Sequence, residues 1–280
     1  MNPIVTAAEL DDALRSDGVP VVLDVRWALG DTDGRRHYRT AHIPGAVFVD
    51  LDAELAADSD PRFGRHPLPA VEDLQAAARR WGISAGGSVV VYDNTGNLAA
   101  ARAWWLLRWA SITDVFILDG GLAAWTAAGL QTRSGEEHPA RRGDVVLNGG
   151  HLPTLTASEA AELAQDGVLL DARAVERYAG ESEPVDPRAG HIPGARSAPT
   201  AENLGKDGRF VSRETLRERF TALGVEPNSQ VGVYCGSGVT AAHQAAALAL
   251  IGVEAKLYPG SWSQWSADPD RPVAIGTDPR

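Results

Sequence analysis

The segment "VYCGSGVTAAH", residues 233–243, holds Cys235, the only cysteine in a chain of 280 residues. A β-branched run, Val231–Tyr234, precedes it, and an alanine-rich stretch of helical composition follows. Cys235 therefore falls on a turn from a strand into a helix N-terminus. Gly236 and Gly238 let the backbone fold tightly there and turn several N–H groups inward. Together with the positive end of the helix dipole, those amides stabilise an anion at the centre of the loop. A thiolate is favoured in such a place, and a thiolate is a nucleophile. The plainer alternative is a small buried apolar cysteine.

What the thiolate could attack is narrowed by its neighbours. A phosphate-clamping Cys-x5-Arg loop needs Arg at the sixth position, but the residue after 236–240 is Ala241. Dithiol redox chemistry needs a second cysteine, which the chain lacks. A cysteine protease needs a histidine near the thiol, and no short signature designates one, though the fold could bring one in. A lone thiolate cradled by amides can instead accept a sulfur atom, and the resulting persulfide is again an anion held by the same donors.

The elements that must position this loop occur twice. "VVLDVRW" at 21–27 returns as "VLLDARA" at 168–174, and "AHIPGAVFVDLD" at 41–52 returns as "GHIPGARSAPTA" at 190–201. "VVVYDNTGNLAA" at 89–100 is answered by the cysteine loop at 231–242, and "DGGLAAW" at 119–125 by "PGSWSQW" at 259–265. Their offsets of 147, 149, 142 and 140 keep one order, so the chain reads as two copies of one unit. We expect domains at 1–130 and 155–280, joined by a polar Gly/Pro-bearing linker at 131–154.

Short apolar runs at 21–25, 89–92, 115–118, 168–171, 231–234 and 255–258 alternate with helical segments. The pattern predicts an α/β fold: two tandem domains, each a mostly parallel sheet with helices on both faces. Ligands of such sheets bind beyond the carboxyl ends of the strands, where Cys235 lies. His42 and His191, and the pairs Asp24–Arg26 and Asp171–Arg173, recur in both copies and read as structural. Trp104, Trp105 and Trp109 follow a helical spacing and read as core.

Composition limits the partners. The net charge of −11 argues against nucleic acid or an anionic membrane surface. No apolar run approaches the roughly 20 residues needed to span a bilayer. The N-terminal residues show no basic region followed by an apolar core, and a single cysteine gives no sign of an oxidising compartment. The expected setting is the cytoplasm. No His/Cys cluster has metal-ligand spacing and no Walker or dinucleotide motif is present, so no metal or organic cofactor is implied.

The tandem repeat, "HIPGA" in both halves, "DGGLAAW" and "CGSGVTAA" together resemble the two-domain rhodanese family of sulfurtransferases over nearly the whole chain. The loop "CGSGVT" is similar to that of 3-mercaptopyruvate sulfurtransferases; thiosulfate-preferring members commonly carry basic residues after the cysteine. The resemblance implies a catalytic C-terminal domain and an N-terminal domain whose Asp93 replaces the thiol. It implies Cys235 as the sulfur-accepting nucleophile and Ser237, His66 and Asp52 as a proton relay. It also implies Arg177 as the grip on the donor carboxylate, with the loop residues Gly236, Gly238, Val239 and Thr240 around the sulfur. A second family arginine aligns near Val185 or Asp186, and Arg188 is the nearby candidate. The implied partners are a small anionic sulfur donor and a thiol, thioredoxin or cyanide acceptor. The alternatives are thiosulfate:cyanide sulfur transfer and a sulfur-carrying module without turnover.

Overall fold

A computed structural model describes residues 2–279. The first half runs β1 (Ile4–Val5), α1 (Ala7–Leu14), β2 (Val21–Asp24), α2 (Gly34–Thr40), β3 (Val47–Phe48) and α3 (Leu51–Glu54). It continues with α4 (Val71–Arg80), β4 (Val89–Tyr92), α5 (Ala100–Trp109), β5 (Val115–Leu118) and α6 (Gly121–Ala127). The second half repeats the plan with α7 (Ala157–Asp166), β6 (Val168–Asp171), α8 (Val175–Ala179), β7 (Arg196–Ser197) and a short 3-10 turn at Thr200–Asn203. It closes with α9 (Arg213–Ala222), β8 (Val231–Tyr234), α10 (Thr240–Leu250), β9 (Lys256–Leu257) and α11 (Ser261–Ala267).

The strand order is β1-β5-β4-β2-β3 in one sheet and β7-β6-β8-β9 in the other, and every pairing within them is parallel. Parallel neighbours force the helices onto the faces, which is why β4 (VVVY) and β8 (VGVY) are buried along their whole length. Both are inner strands, so the loops that leave their carboxyl ends emerge at equivalent points of the two sheets.

The helices that follow those loops, α5 and α10, pack on each other and join the halves. Their sequences explain it: α10 is alanine-rich and buried on nearly every side, so a partner helix can approach closely. Trp104 and Trp105 of α5 share one apolar cluster with Ala241, Ala242 and Ala245 of α10, together with residues from both sheets. A shared core of this kind fixes the two halves against one another, a condition for any site built from both.

The segment at 131–154 does not hang free as a linker. Arg133 exchanges backbone hydrogen bonds with His42, Asn148 N–H donates to Ala110, and Val145 and Leu147 are buried. The recurrent histidines hold turns, as expected: His42 and His191 each hydrogen-bond a tyrosine carbonyl at 2.9 Å and stack on that tyrosine's ring. The recurrent Asp–Arg pairs close at 2.7 Å (Asp24–Arg26) and 2.6 Å (Asp171–Arg173). Among the described residues, no helix is long and apolar enough to cross a membrane.

Candidate active site

Cys235 is the first residue beyond β8 and is buried. Its own N–H donates to Ser261 Oγ (3.1 Å), and its carbonyl accepts from Trp262 N–H (2.9 Å), so the start of α11 grips the loop from behind. The Gly238 N–H donates to Cys235 Sγ at 3.1 Å. Gly238 has φ +79°, and a Cβ there would sit 2.6 Å from the Pro259 carbonyl oxygen, so only glycine can aim that amide at the sulfur. Val239 and Thr240 lead the loop into α10, with the Val239 side chain buried.

The first copy of the loop is an internal control. Asp93 stands where Cys235 does, and its buried carboxylate accepts four backbone N–H groups. Thr95 and Asn97 donate to Oδ1 (2.8 Å each), and Ala99 and Ala100 to Oδ2 (2.9 and 3.0 Å). Burial raises the Asp93 pKa while these amides oppose it. The glycine at the positive-φ position recurs as well, as Gly96 at +76°. This strand-turn-helix unit therefore turns its amides onto an acceptor at its centre, and a thiolate or persulfide suits that place in the second copy.

Ser237, two residues beyond the sulfur, meets the N-terminal half. Its Oγ lies 2.7 Å from His66 Nδ1, and His66 Nε2 lies 3.0 Å from Asp52 Oδ1. An ionised carboxylate only accepts, so Nε2 carries the hydrogen and Nδ1 accepts the Ser237 hydroxyl. Trp27 fixes the far end: its indole N–H donates to Asp52 Oδ2 (3.2 Å), and its ring meets His66 edge-on at 5.6 Å. Asp52 is free for this because Asp50, not Asp52, caps α3 through the Ala53 N–H. The thirteen residues between Asp52 and His66 leave α3 and loop back to its start.

Burial, the positive charge of Arg102 and, to a lesser degree, that of Arg65 lower the His66 pKa to about 4, against the opposing pull of Asp52. The ring is therefore neutral at pH 7, with its lone pair toward Ser237. His243, fully buried in α10 against the Phe210 ring (4.7 Å), is lowered to about 3, chiefly by desolvation. Both rings bind protons more tightly in the unfolded chain, near pH 6.5. Their contribution to stability is complete above that pH and is lost as pH falls toward 4 and 3. We expect urea unfolding free energies to fall below pH 6.5 by at most about 1.4 kcal/mol per pH unit for each ring. His66→Gln should reduce that slope.

Arg102 is a part of the site that the sequence reading missed. It lies in α5 beside the tryptophans, fully buried, and donates to the carbonyls of Leu55, His66, Pro67 and Gly238 (3.1 to 3.3 Å). It thus ties the His66 segment to the cysteine loop. Burial lowers its pKa to about 10, and negative charge at Cys235 acts in the opposite direction. Arg102→Met is expected to lower the rate of sulfur transfer about tenfold, because the His66 segment and the cysteine loop lose their shared tie, and Arg102→Lys to restore part of it.

The arginines expected around the donor are arranged differently from the sequence reading. Arg177, from α8, pairs with Glu183 (Nη2 to Oε1, 2.6 Å) and with Asp186 (3.0 Å), and its guanidinium faces Gly236. Arg188 does not reach the loop. Its guanidinium donates to the carbonyls of Trp265, Ser266, Asp268 and Arg271 at 2.5 to 2.9 Å, closing the end of α11. The donor-site assignment of Arg188 is corrected accordingly: all its donor nitrogens serve the backbone. The second guanidinium over the loop belongs to Arg65 of the other half.

One strand-turn-helix unit thus appears twice, ending once in a thiol and once in a carboxylate. The chain matches the rhodanese-like domain at residues 6–128 and again at 156–268, and it belongs to that family. Two relatives carry provisional names that differ in the donor. A Pseudomonas aeruginosa protein, called a 3-mercaptopyruvate sulfurtransferase, is 48% identical over 282 residues, covering 98% of each chain. SseB of Mycobacterium tuberculosis, called a thiosulfate sulfurtransferase, is 47% identical over 278 residues, covering 98% of this chain and 97% of that one. The crystal structure of SseA from Escherichia coli, described in connection with the rhodanese fold and the catalytic mechanism of 3-mercaptopyruvate sulfotransferases, superposes with a TM-score of 0.83. The two are 32% identical, with 94% of this chain and 99% of SseA covered.

Proposed function

We propose that the chain is a sulfurtransferase that takes sulfane sulfur from 3-mercaptopyruvate and passes it through a Cys235 persulfide to a thiol, thioredoxin or cyanide. The observation that carries this choice of donor is the chain from Ser237 through His66 to Asp52, closed by bonds of 2.7 and 3.0 Å beside the sulfur. Such a relay serves a donor whose leaving group must be protonated.

In the first step the Cys235 thiolate attacks the thiol sulfur of the donor. The S–S bond forms as the C–S bond breaks, and the electron pair leaves on carbon as the enolate of pyruvate. The proton of the donor thiol now sits on the outer sulfur. Ser237 takes it while passing its own proton to neutral His66, whose cationic form Asp52 stabilises. Return of a proton through the same hydroxyl to the enolate carbon yields pyruvate and leaves a persulfide anion. Gly238 and its neighbouring amides hold that anion. An acceptor thiolate or cyanide then attacks the outer sulfur and releases the Cys235 thiolate.

In this reading residues 155–280 form the catalytic domain and 1–130 a domain without a thiol that supplies His66 and Asp52, with 131–154 between them. The lone thiol suits the reducing cytoplasm. Thiosulfate is the second reading, because two guanidiniums over the loop also suit a dianionic donor. Initial rates of pyruvate release from 3-mercaptopyruvate and of sulfite release from thiosulfate decide between them. We expect the higher kcat/KM with 3-mercaptopyruvate. A higher value with thiosulfate reverses the assignment, and turnover of neither leaves a carrier.

A further inference from the structure

Arg65 adjoins His66 in sequence, yet its guanidinium lies over the cysteine loop of the other half. A methyl group built on Gly236 would meet Arg65 Nη2 at 3.2 Å and Arg177 Nη1 at 3.4 Å. Two nitrogens from different domains therefore converge above the residue that follows Cys235. The far edges of both guanidiniums are tied down. Asp186 accepts Arg65 Nη1 on Oδ1 (2.7 Å) and Arg177 Nη2 on Oδ2 (3.0 Å), and Glu183 accepts Arg177 Nε and Nη2 (3.2 and 2.6 Å). The near edges, Arg65 Nη2 and Arg177 Nη1, take no part in these pairs. Among the described residues, Arg65 Nε is buried without a hydrogen-bond partner. The backbone there is fixed too, since Arg65 N–H donates to Ser263 Oγ (3.0 Å) at the start of α11.

We propose that Arg65 is the second donor-binding guanidinium, so that the carboxylate of the sulfur donor is gripped across the domain interface by Arg177 from one side and Arg65 from the other. Asp186 is a positioning residue that orients both forks from behind. A planar carboxylate offers two oxygens, and two converging N–H edges match them where a single arginine would leave the donor free to pivot. Glycine at 236 leaves the space: even a methyl group there would press on both guanidiniums. The inference rests on the proposed sulfur-transfer reaction and assigns to it a specificity-determining residue from the half without a thiol.

The test compares 3-mercaptopyruvate with mercaptoacetone, the same keto-thiol without the carboxylate, in wild type, Arg65→Gln and Arg65→Lys. Arg65→Gln is expected to raise KM for 3-mercaptopyruvate about tenfold or more, with kcat within about threefold. Its loss of kcat/KM with mercaptoacetone should be at least about fivefold smaller than its loss with 3-mercaptopyruvate, because that donor gives Arg65 nothing to bind. Arg65→Lys keeps the charge but not the fork and should fall between them. Equal losses with both donors, or no loss with either, overturn the proposal; the former would make Arg65 a structural interface residue. If Arg65→Gln does not fold, Arg65→Lys decides by the same comparison: a loss confined to 3-mercaptopyruvate supports the clamp, and no such loss overturns it. Failure of wild type to release pyruvate from 3-mercaptopyruvate would instead count against the donor assignment itself.

Discussion

Cys235→Ser is expected to fold like wild type and to transfer no sulfur from any donor. The site tolerates the change because the Gly238 N–H that reaches Sγ at 3.1 Å finds another acceptor in a serine oxygen, and Ser261 and Trp262 bind the backbone rather than the side chain. We expect the stability to change by no more than about 1 kcal/mol. The chemistry disappears because a serine hydroxyl is not ionised at neutral pH and no other cysteine can take its place. Release of pyruvate and of sulfite should fall to the uncatalysed rate, with the urea midpoint nearly unchanged as evidence of folding.

His66→Gln and Ser237→Ala are expected to separate the donors. With 3-mercaptopyruvate the enolate must be protonated, so loss of the relay should lower kcat by about two to three orders of magnitude. With thiosulfate the thiolate attacks sulfur and sulfite departs as a stable anion, so no proton moves. The same variants should then lose less than about tenfold. Equal losses with both donors would mean that Ser237 and His66 act on the thiol itself. Asp52→Asn should be milder than His66→Gln, because the Asp52 side chain is 63% exposed and water can replace part of its contact with Nε2.

The fold was legible because its signals are local and repeated. Strand runs such as Val89–Tyr92 and Val231–Tyr234, each followed by a glycine-bearing turn and a helix, place Cys235 at a strand's carboxyl end from sequence alone. The paired recurrence of His42 with His191 and of Asp24 with Asp171 marked them as scaffold, and both pairs hold turns or strand ends. Ser237, His66 and Asp52 came from resemblance alone, since no spacing rule connects positions 171 residues apart; the docking of α5 on α10 makes that connection. The arginines show the limit most clearly. Arg188 lies near the aligned position, but the open carbonyls at the end of α11 claim it. Arg65 was hidden because it acts on the opposite domain. Arg102 and Trp27 were hidden for a related reason: beside core tryptophans or at a strand end, each looks like ordinary packing until its hydrogen-bond partners are seen.

The most direct test of the central claim is the intact mass of the protein after brief incubation with 3-mercaptopyruvate, without an acceptor, for wild type and Cys235→Ser. The account predicts a gain of one sulfur, roughly 32 Da, on wild type alone, removed by subsequent addition of cyanide or a thiol. No gain on wild type, or an equal gain on Cys235→Ser, would contradict sulfur transfer through a Cys235 persulfide.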